Sequence, residues 1–332
     1  MTKQGLTHFA IAIATFVLLG ASSSPAQSRL VGPSAGSRVA NSHTGQPRVH
    51  PLSTRAPGSP TVINFGTIDF PGASDSAAYG INDHGQFAGG HGPDLEQTFS
   101  NTGFFLSHDA FQNISFPGAI QTAAASVNNS SEIAGFYDDS VTEHGFQLLK
   151  GVYTTIDFPG ADLTQVQGVN DSGEITGLYY NSGDVVGHGF YVIGSTYTTI
   201  DYPGAAYTFP CGLNNAGQIV GEWVDTAGDY HGFLWQSGTF TTIDYPGAVF
   251  SALFGINQQG DVVGEYGDGV SGNLAGFQHG FAYIKGQYLS IDVPFVGAEE
   301  TWITGINKTG EISGIYVDTA DRFYGFTAKI VP

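Results

Sequence analysis

Apolar positions in this chain come in short runs rich in Ile, Val, Phe, Tyr and Thr, each closed by Asn, Asp, Gly or Pro. Runs of this length between turn formers predict many short strands rather than long helices. The run Gln218 to Val224, for example, follows Asn214-Asn215-Ala216-Gly217. Asn at the first and Gly at the fourth position favour a type I turn, so the runs on either side, Phe209 to Leu213 and Gln218 to Val224, predict a hairpin. A loop over 225–230 leads to a third strand, His231 to Trp235, and Ser237-Gly238 to a fourth, Phe240 to Tyr245, closed by Pro246-Gly247-Ala248.

This unit recurs six times. Its marker is Gly-Ile-Asn or a close variant, with Asn82, Asn128, Asn170, Asn214, Asn257 and Asn307 spaced 42 to 50 residues apart. Repeats of that length with four strands each predict an all-β six-bladed β-propeller over residues 61–332. Pro lacks a backbone donor, so a strand that ends in Pro-Gly-Ala belongs at the outer edge of a blade. The recurring second-strand glycines (Gly89, Gly135, Gly177, Gly221, Gly264, Gly314) suit the crowded inner half. The last repeat stops after its third strand, whereas the run Val62 to Phe70 is an orphan fourth strand with the same Ile68-Asp69-Phe70-Pro71-Gly72-Ala73 ending. The N-terminal strand is therefore expected to complete the last blade and close the ring, which removes exposed edges.

Two segments precede the repeats. Lys3, the apolar run Phe9 to Leu19 and Ser24-Pro25-Ala26 follow signal-peptide order, so residues 1–26 are expected to direct secretion, to the periplasm or the outside of the cell. The apolar run is too short to span a bilayer, and no membrane insertion is expected. Residues 27–60, rich in Ser, Pro, Gly and Arg, predict a disordered linker.

All 29 acidic residues lie after residue 60, together with five of the 10 Lys and Arg, which gives the repeats a net charge of 5 − 29 = −24. Nucleic acid is excluded as a partner on that balance, since phosphate binding needs a basic footprint. Cys211 is the single cysteine, so no intramolecular disulfide can form. A monomer is expected.

The Gly-(Ile/Val/Leu)-Asn-x-x-Gly hairpin followed by a His-Gly-Phe strand resembles the HAF repeat of bacterial extracellular proteins. His144-Gly145-Phe146, His188-Gly189-Phe190, His231-Gly232-Phe233 and His279-Gly280-Phe281 carry the motif, with Thr102-Gly103-Phe104 and Tyr324-Gly325-Phe326 as variants. The resemblance implies an extracellular repeat protein and assigns no activity.

Repetition argues for structure. His144, His188, His231 and His279 on equivalent strands of different blades would lie too far apart to share a metal, and with Asn82, Asn170, Asn214, Asn257 and Asn307 they are read as structural. Departures from the repeat are better functional candidates. After the second-strand Gly the column reads Gly90, Phe136, Leu178, Glu222, Glu265, Ile315, and the next reads His91, Tyr137, Tyr179, Trp223, Tyr266, Tyr316. Glu222 and Glu265 beside Trp223 and Tyr266, with His91, form the candidate ligand site. Paired carboxylates beside aromatics also serve glycoside cleavage. A non-catalytic module for carbohydrate or protein is the leading expectation, with a glycan hydrolase or lyase and a cell-surface scaffold as alternatives. Asp225, Asp229 and Asp268, in acidic loops after second strands, are weak Ca²⁺ candidates. No other cofactor is expected.

Overall fold

The computed structural model describes residues 60–331, apart from 94, 96–100, 184–185 and 270–277. The expected signal peptide and all but the last residue of the expected linker lie outside the described residues. No described helix is long and apolar enough to cross a membrane.

Among the described residues, twenty-four strands form six antiparallel four-stranded sheets. Strand β1 (Thr61–Ile68) comes first. Blade 1 is β2 (Asp75–Ile81), β3 (Phe87–Gly92), β4 (Thr102–Ser107) and β5 (Ala110–Ile114). Blade 2 is β6 (Gln121–Val127), β7 (Ile133–Asp138), β8 (Glu143–Leu149) and β9 (Val152–Ile156). Blade 3 is β10 (Leu163–Val169), β11 (Ile175–Tyr180), β12 (His188–Ile193) and β13 (Thr196–Thr199). Blade 4 is β14 (Tyr207–Leu213), β15 (Gln218–Val224), β16 (Tyr230–Gln236) and β17 (Thr239–Thr242). Blade 5 is β18 (Phe250–Ile256), β19 (Val262–Gly267), β20 (Gln278–Ile284) and β21 (Gln287–Ile291). Blade 6 is β22 (Ala298–Ile306), β23 (Glu311–Asp318) and β24 (Phe323–Val331), with β1 as its outer strand. Thr61 pairs with Val331 and Ile68 with Gly325.

Local chemistry explains each turn of the unit. In the first hairpin the Asn side chain accepts from two backbone N–H groups of its own turn, as Asn214 Oδ1 does from Ala216 and Gln218. The fourth turn residue then takes a positive φ, 69° at Gly217. Ser131 stands in the second repeat instead of Gly and adopts φ 57°. Pro-Gly-Ala is a type II turn: Gly72 has φ 85°, and the Ala73 N–H donates to the Phe70 carbonyl. A Ser or Thr six or eight residues after the aromatic ties the turn down. Ser76, Thr122, Thr164, Thr208, Ser251 and Thr301 each accept from the backbone N–H of the residue before the Pro, which is aromatic in the first five and Val293 in the last.

Between neighbouring blades lie Phe104, Phe146, Phe190, Phe233, Phe281 and Phe326, the third residue of each His-Gly-Phe or variant, all at 0% exposure. Each contributes about 2–3 kcal/mol by leaving water. They pack against the second-strand glycines, whose phase is set by a bulge in each first strand. In blade 2 the pairing register slips between Ala124 and Ser126, and a Cβ on Gly135 would lie 1.9 Å from the Ala123 carbonyl oxygen. No side chain fits there.

Candidate functional site

The bulged residue of each first strand, Tyr79, Ala125, Gln167, Cys211, Phe254 or Thr304, lines an axial channel. The cavity there is about 660 Å³, mouth included. One mouth is rimmed by the hairpin asparagines. Asn82 Nδ2 donates to the Asn128 carbonyl at 2.8 Å, Asn128 to Asn170 at 2.9 Å, and Asn170 to Asn214 at 3.3 Å. Asn214 donates to Asn257 at 3.0 Å, Asn257 to Asn307 at 3.4 Å, and Asn307 back to Asn82 at 3.1 Å. The next residue in each turn builds a second, more exposed ring, in which the backbone N–H of Asn129 donates to Asp171, that of Asp171 to Asn215, and that of Lys308 to Asp83. That the asparagine column forms a closed girdle was not legible in the sequence, because the acceptor lies one whole repeat away.

Toward the opposite mouth the second strands carry the departing carboxyls. Glu222 and Glu265 are 1% and 0% exposed, and one oxygen of Glu222 and both of Glu265 have no hydrogen-bond partner. Burial pushes the Glu222 carboxyl up to about 8. The same cause holds Glu265 well above the usual carboxylate range, with the charges of Glu222 and Glu300 adding to it. Cys211 is held protonated by burial and by both acids. Glu143, at the start of β8, is pushed up to about 7 by burial, against the hydrogen bond it accepts from Gln165 Nε2. An unpaired buried carboxylate costs several kcal/mol, so Glu222 and Glu265 carry their protons at neutral pH.

The aromatic partners expected beside these acids face the other way, because successive residues of a strand point to opposite faces. Trp223 stacks on Tyr202 at 3.9 Å and lies 4.7 Å from the His231 ring. Tyr266 stacks on Tyr245 at 3.8 Å and lies 5.1 Å from His279. Both belong to stacks of three rings: the aromatic before the type II turn, the second-strand aromatic and the third-strand His. Each His is fixed in turn by the Asp that follows the fourth strand. His144 Nδ1 bonds Asp157 at 3.0 Å, His188 bonds Asp201 at 2.9 Å, His231 bonds Asp244 at 2.9 Å and His279 bonds Asp292 at 2.8 Å. The structure therefore brings Glu222 and Glu265 together and separates them from Trp223, Tyr266 and His91.

Blade 1 departs from this pattern. Thr102 replaces the His and Ser115 the Asp, so its stack has two rings, Phe70 and His91, 3.6 Å apart and 4° from parallel. His91 Nε2 is 3.0 Å from Asn113 Oδ1, and burial lowers the imidazole pKa. Beside the stack opens a groove of about 600 Å³, mouth included, lined by Phe70, Pro71, Ser74, His91, Gly92 and Pro93, with the turn residues 72–73. The paired loss of His and Asp was visible in the sequence as two separate column breaks.

Two of the calcium candidates already have partners. Asp225 Oδ1 accepts from the N–H groups of Ala227 and Asp229, and Asp268 Oδ2 lies 3.5 Å from His279 Nε2. Among the described residues no three His, Cys, Asp or Glu side chains converge to hold a metal ion.

No protein-family model and no curated protein sequence matches the chain. Several solved structures share its fold. A protein of unknown function from Dyadobacter fermentans is 10% identical with a TM-score of 0.53, over 83% of this chain and 100% of its own. AofleA from Arthrobotrys oligospora is 11% identical with a TM-score of 0.50, over 82% and 86%. A fucose-specific lectin from Aleuria aurantia is 10% identical with a TM-score of 0.49, over 78% and 95%. At such identities the likeness is one of fold.

Proposed function

We propose that this is a secreted, non-catalytic β-propeller of the HAF-repeat type that binds carbohydrate on its aromatic rim. The observation that carries the proposal is the common environment of Glu222 and Glu265, both raised by burial. Glycoside cleavage needs surroundings that drive two carboxyls apart, one kept protonated as the acid and one ionised as nucleophile or base. Here the same cause moves both in one direction, and their expected aromatic subsites lie on the opposite face of the strands. On that opposite face sit the ring stacks, in which Tyr202, Trp223, Tyr245 and Tyr266 are half-buried while Tyr137, Tyr179 and Tyr316 are buried, bordered by hydroxyls and imidazoles. A sugar uses such a surface well, its C–H face lying on an aromatic ring while its hydroxyls meet a few polar groups. The fucose specificity of the Aleuria aurantia protein belongs to that lectin and is not carried over to this chain.

The test is a glycan array probed with the purified protein, followed by incubation of every bound glycan and an assay for new reducing ends. Binding without release supports the proposal. Release that Glu222→Gln or Glu265→Gln abolishes would replace it with a hydrolase.

A further inference from the structure

The outer ring of turn residues around the axial mouth is built by one rule. The backbone N–H of each donates to a side-chain oxygen of its counterpart in the next blade. Asp83 donates to Asn129 Oδ1, Asn129 to Asp171 Oδ1, Asp171 to Asn215 Oδ1, Asn215 to Gln258 Oε1 and, across the closure, Lys308 to Asp83 Oδ1, at 2.8 to 3.1 Å. Blade 6 breaks the rule. Lys308 stands where the other five blades place Asp, Asn or Gln, and an ammonium accepts no hydrogen bond. Its Nζ reaches forward instead, to Asp83 Oδ2 at 3.3 Å. The sixth link, from the Gln258 N–H, is therefore not made among the described residues, while Gln258 Oε1 is engaged by Asn215.

We propose that this broken link between blades 5 and 6 is a binding site for the carboxylate of a small organic acid whose apolar tail enters the axial cavity. The inference is independent of the carbohydrate reading. The ring itself displays the chemistry of the ligand. In two of its five links the acceptor is a carboxylate, and both are gripped in the same way: one oxygen takes the backbone N–H of the preceding turn residue, and the other takes that residue's side-chain donor. Asp171 accepts from the Asn129 N–H on Oδ1 and from Asn129 Nδ2 on Oδ2, at 2.8 and 2.9 Å. Asp83 accepts from the Lys308 N–H on Oδ1, and Lys308 Nζ sits beside its Oδ2. Gln258 carries the same two kinds of donor, its backbone N–H and the hydrogens on Nε2. A carboxylate from solvent thus completes the ring in the manner of Asp171, with charge-assisted bonds.

The cavity supplies the place for the tail. Gln258 and Lys308 both line it, and so, deeper in the channel, do the bulged residues Phe254 and Thr304 of the same two blades and Tyr79 of blade 1. Phe254 and Tyr79 are half-buried there and offer an apolar wall. The net charge of 5 − 29 = −24 on the repeats opposes any anion. Lys150, Lys285, Lys308 and Lys329, all four lysines of the repeats, stand at this end of the strands and ease that opposition, with only Arg322 at the other end.

The experiment follows the backbone amide resonance of Gln258 in the purified protein, at fixed ionic strength, as acetate, phenylacetate or acetamide is added. A saturable shift is expected with both acids, at least tenfold tighter for phenylacetate than for acetate, and weaker for neutral acetamide than for acetate. Lys308→Asn supplies the acceptor that blades 2 and 4 already carry, so it keeps the unfolding midpoint of the wild type. Gln258→Glu keeps the acceptor for Asn215 and removes the Nε2 donor. Each variant should weaken phenylacetate binding at least tenfold. An amide that shows no saturable shift belongs to water and overturns the site. Acetamide binding as tightly as acetate overturns the carboxylate assignment, and phenylacetate binding no tighter than acetate overturns the place given to the tail. Acid binding that both variants retain shows adsorption elsewhere and overturns the location.

Discussion

Replacing Glu222 by Gln should make this protein more stable at neutral and alkaline pH and leave it almost unchanged near pH 5. The native carboxyl titrates at about 8, against 4.5 for the ordinary group. An acid with a raised native pKa binds its proton more tightly folded than unfolded. Its contribution to stability is therefore full below 4.5 and is lost as pH rises through the window to about 8. At about 1.4 kcal/mol for each unit of difference, the whole window amounts to roughly 5 kcal/mol, and at pH 7 roughly 3 kcal/mol has gone. Against a usual total of about 5–15 kcal/mol, that is a large fraction. Gln keeps the shape and never ionises, so Glu222→Gln should gain about 3 kcal/mol over wild type at pH 7 and under about 1 kcal/mol at pH 5. Urea unfolding followed by tryptophan fluorescence at half-unit steps from pH 5 to 8.5 measures this. High salt in every sample screens the general repulsion of the acidic surface while leaving the buried group in place. Two curves that stay parallel across the window would refute the reasoning, since they would mean that Glu222 ionises natively as it does unfolded.

Other outcomes follow from the same structure. Gly135→Ala, whose methyl would lie 1.9 Å from the Ala123 carbonyl oxygen, should cost more than about 4 kcal/mol and show as a collapsed urea midpoint. Asn214→Ala removes an acceptor for two turn N–H groups and the donor to Asn257, and should cost about 3 kcal/mol; Asn214→Asp, which keeps the acceptors, should cost about half of that. His279 is raised above the ordinary imidazole value by its bond to Asp292, so its contribution is present below pH 6.5 and lost as pH rises through the raised value. Asp292→Asn should lower the His279 pKa in an NMR titration, and an unmoved curve would show that the pair does not couple.

Much of this molecule is written locally, and what is local could be read. The Asn-x-x-Gly and Pro-Gly-Ala turns, the edge position of the Pro-terminated strand and the glycine phase are each set by bonds within a few residues. The Thr122 class was open to the same reasoning, since it recurs six residues after Phe116 and its equivalents. It was missed because hydroxyls in strands are common and carry no signal singly. The channel lining was hidden for another reason. A bulge at Cys211 and its equivalents shifts the alternation by one, so inward and outward positions cannot be counted through it. Pairing Glu222 with Trp223 as one site failed on simpler grounds: neighbours in a strand are never on the same side. The groove at Phe70 joins the end of β1, the outer strand of blade 6, to β3 of blade 1, so it crosses a boundary between repeats that no single copy shows.

The asparagine girdle joins each turn to the next with the same link, and the last turn to the first. Cut anywhere, it would lose one link of six equal ones, and Thr61 lies paired with Val331 where the ring is sewn shut. The seam is thus a matter of where translation starts, and it could be moved. A short bridge from Val331 to Thr61, with new ends opened in the turn at Ser237-Gly238, would keep every strand pair and every link while relocating the last-formed blade. Order of synthesis and final architecture are separable in this protein, and the girdle is what makes them so.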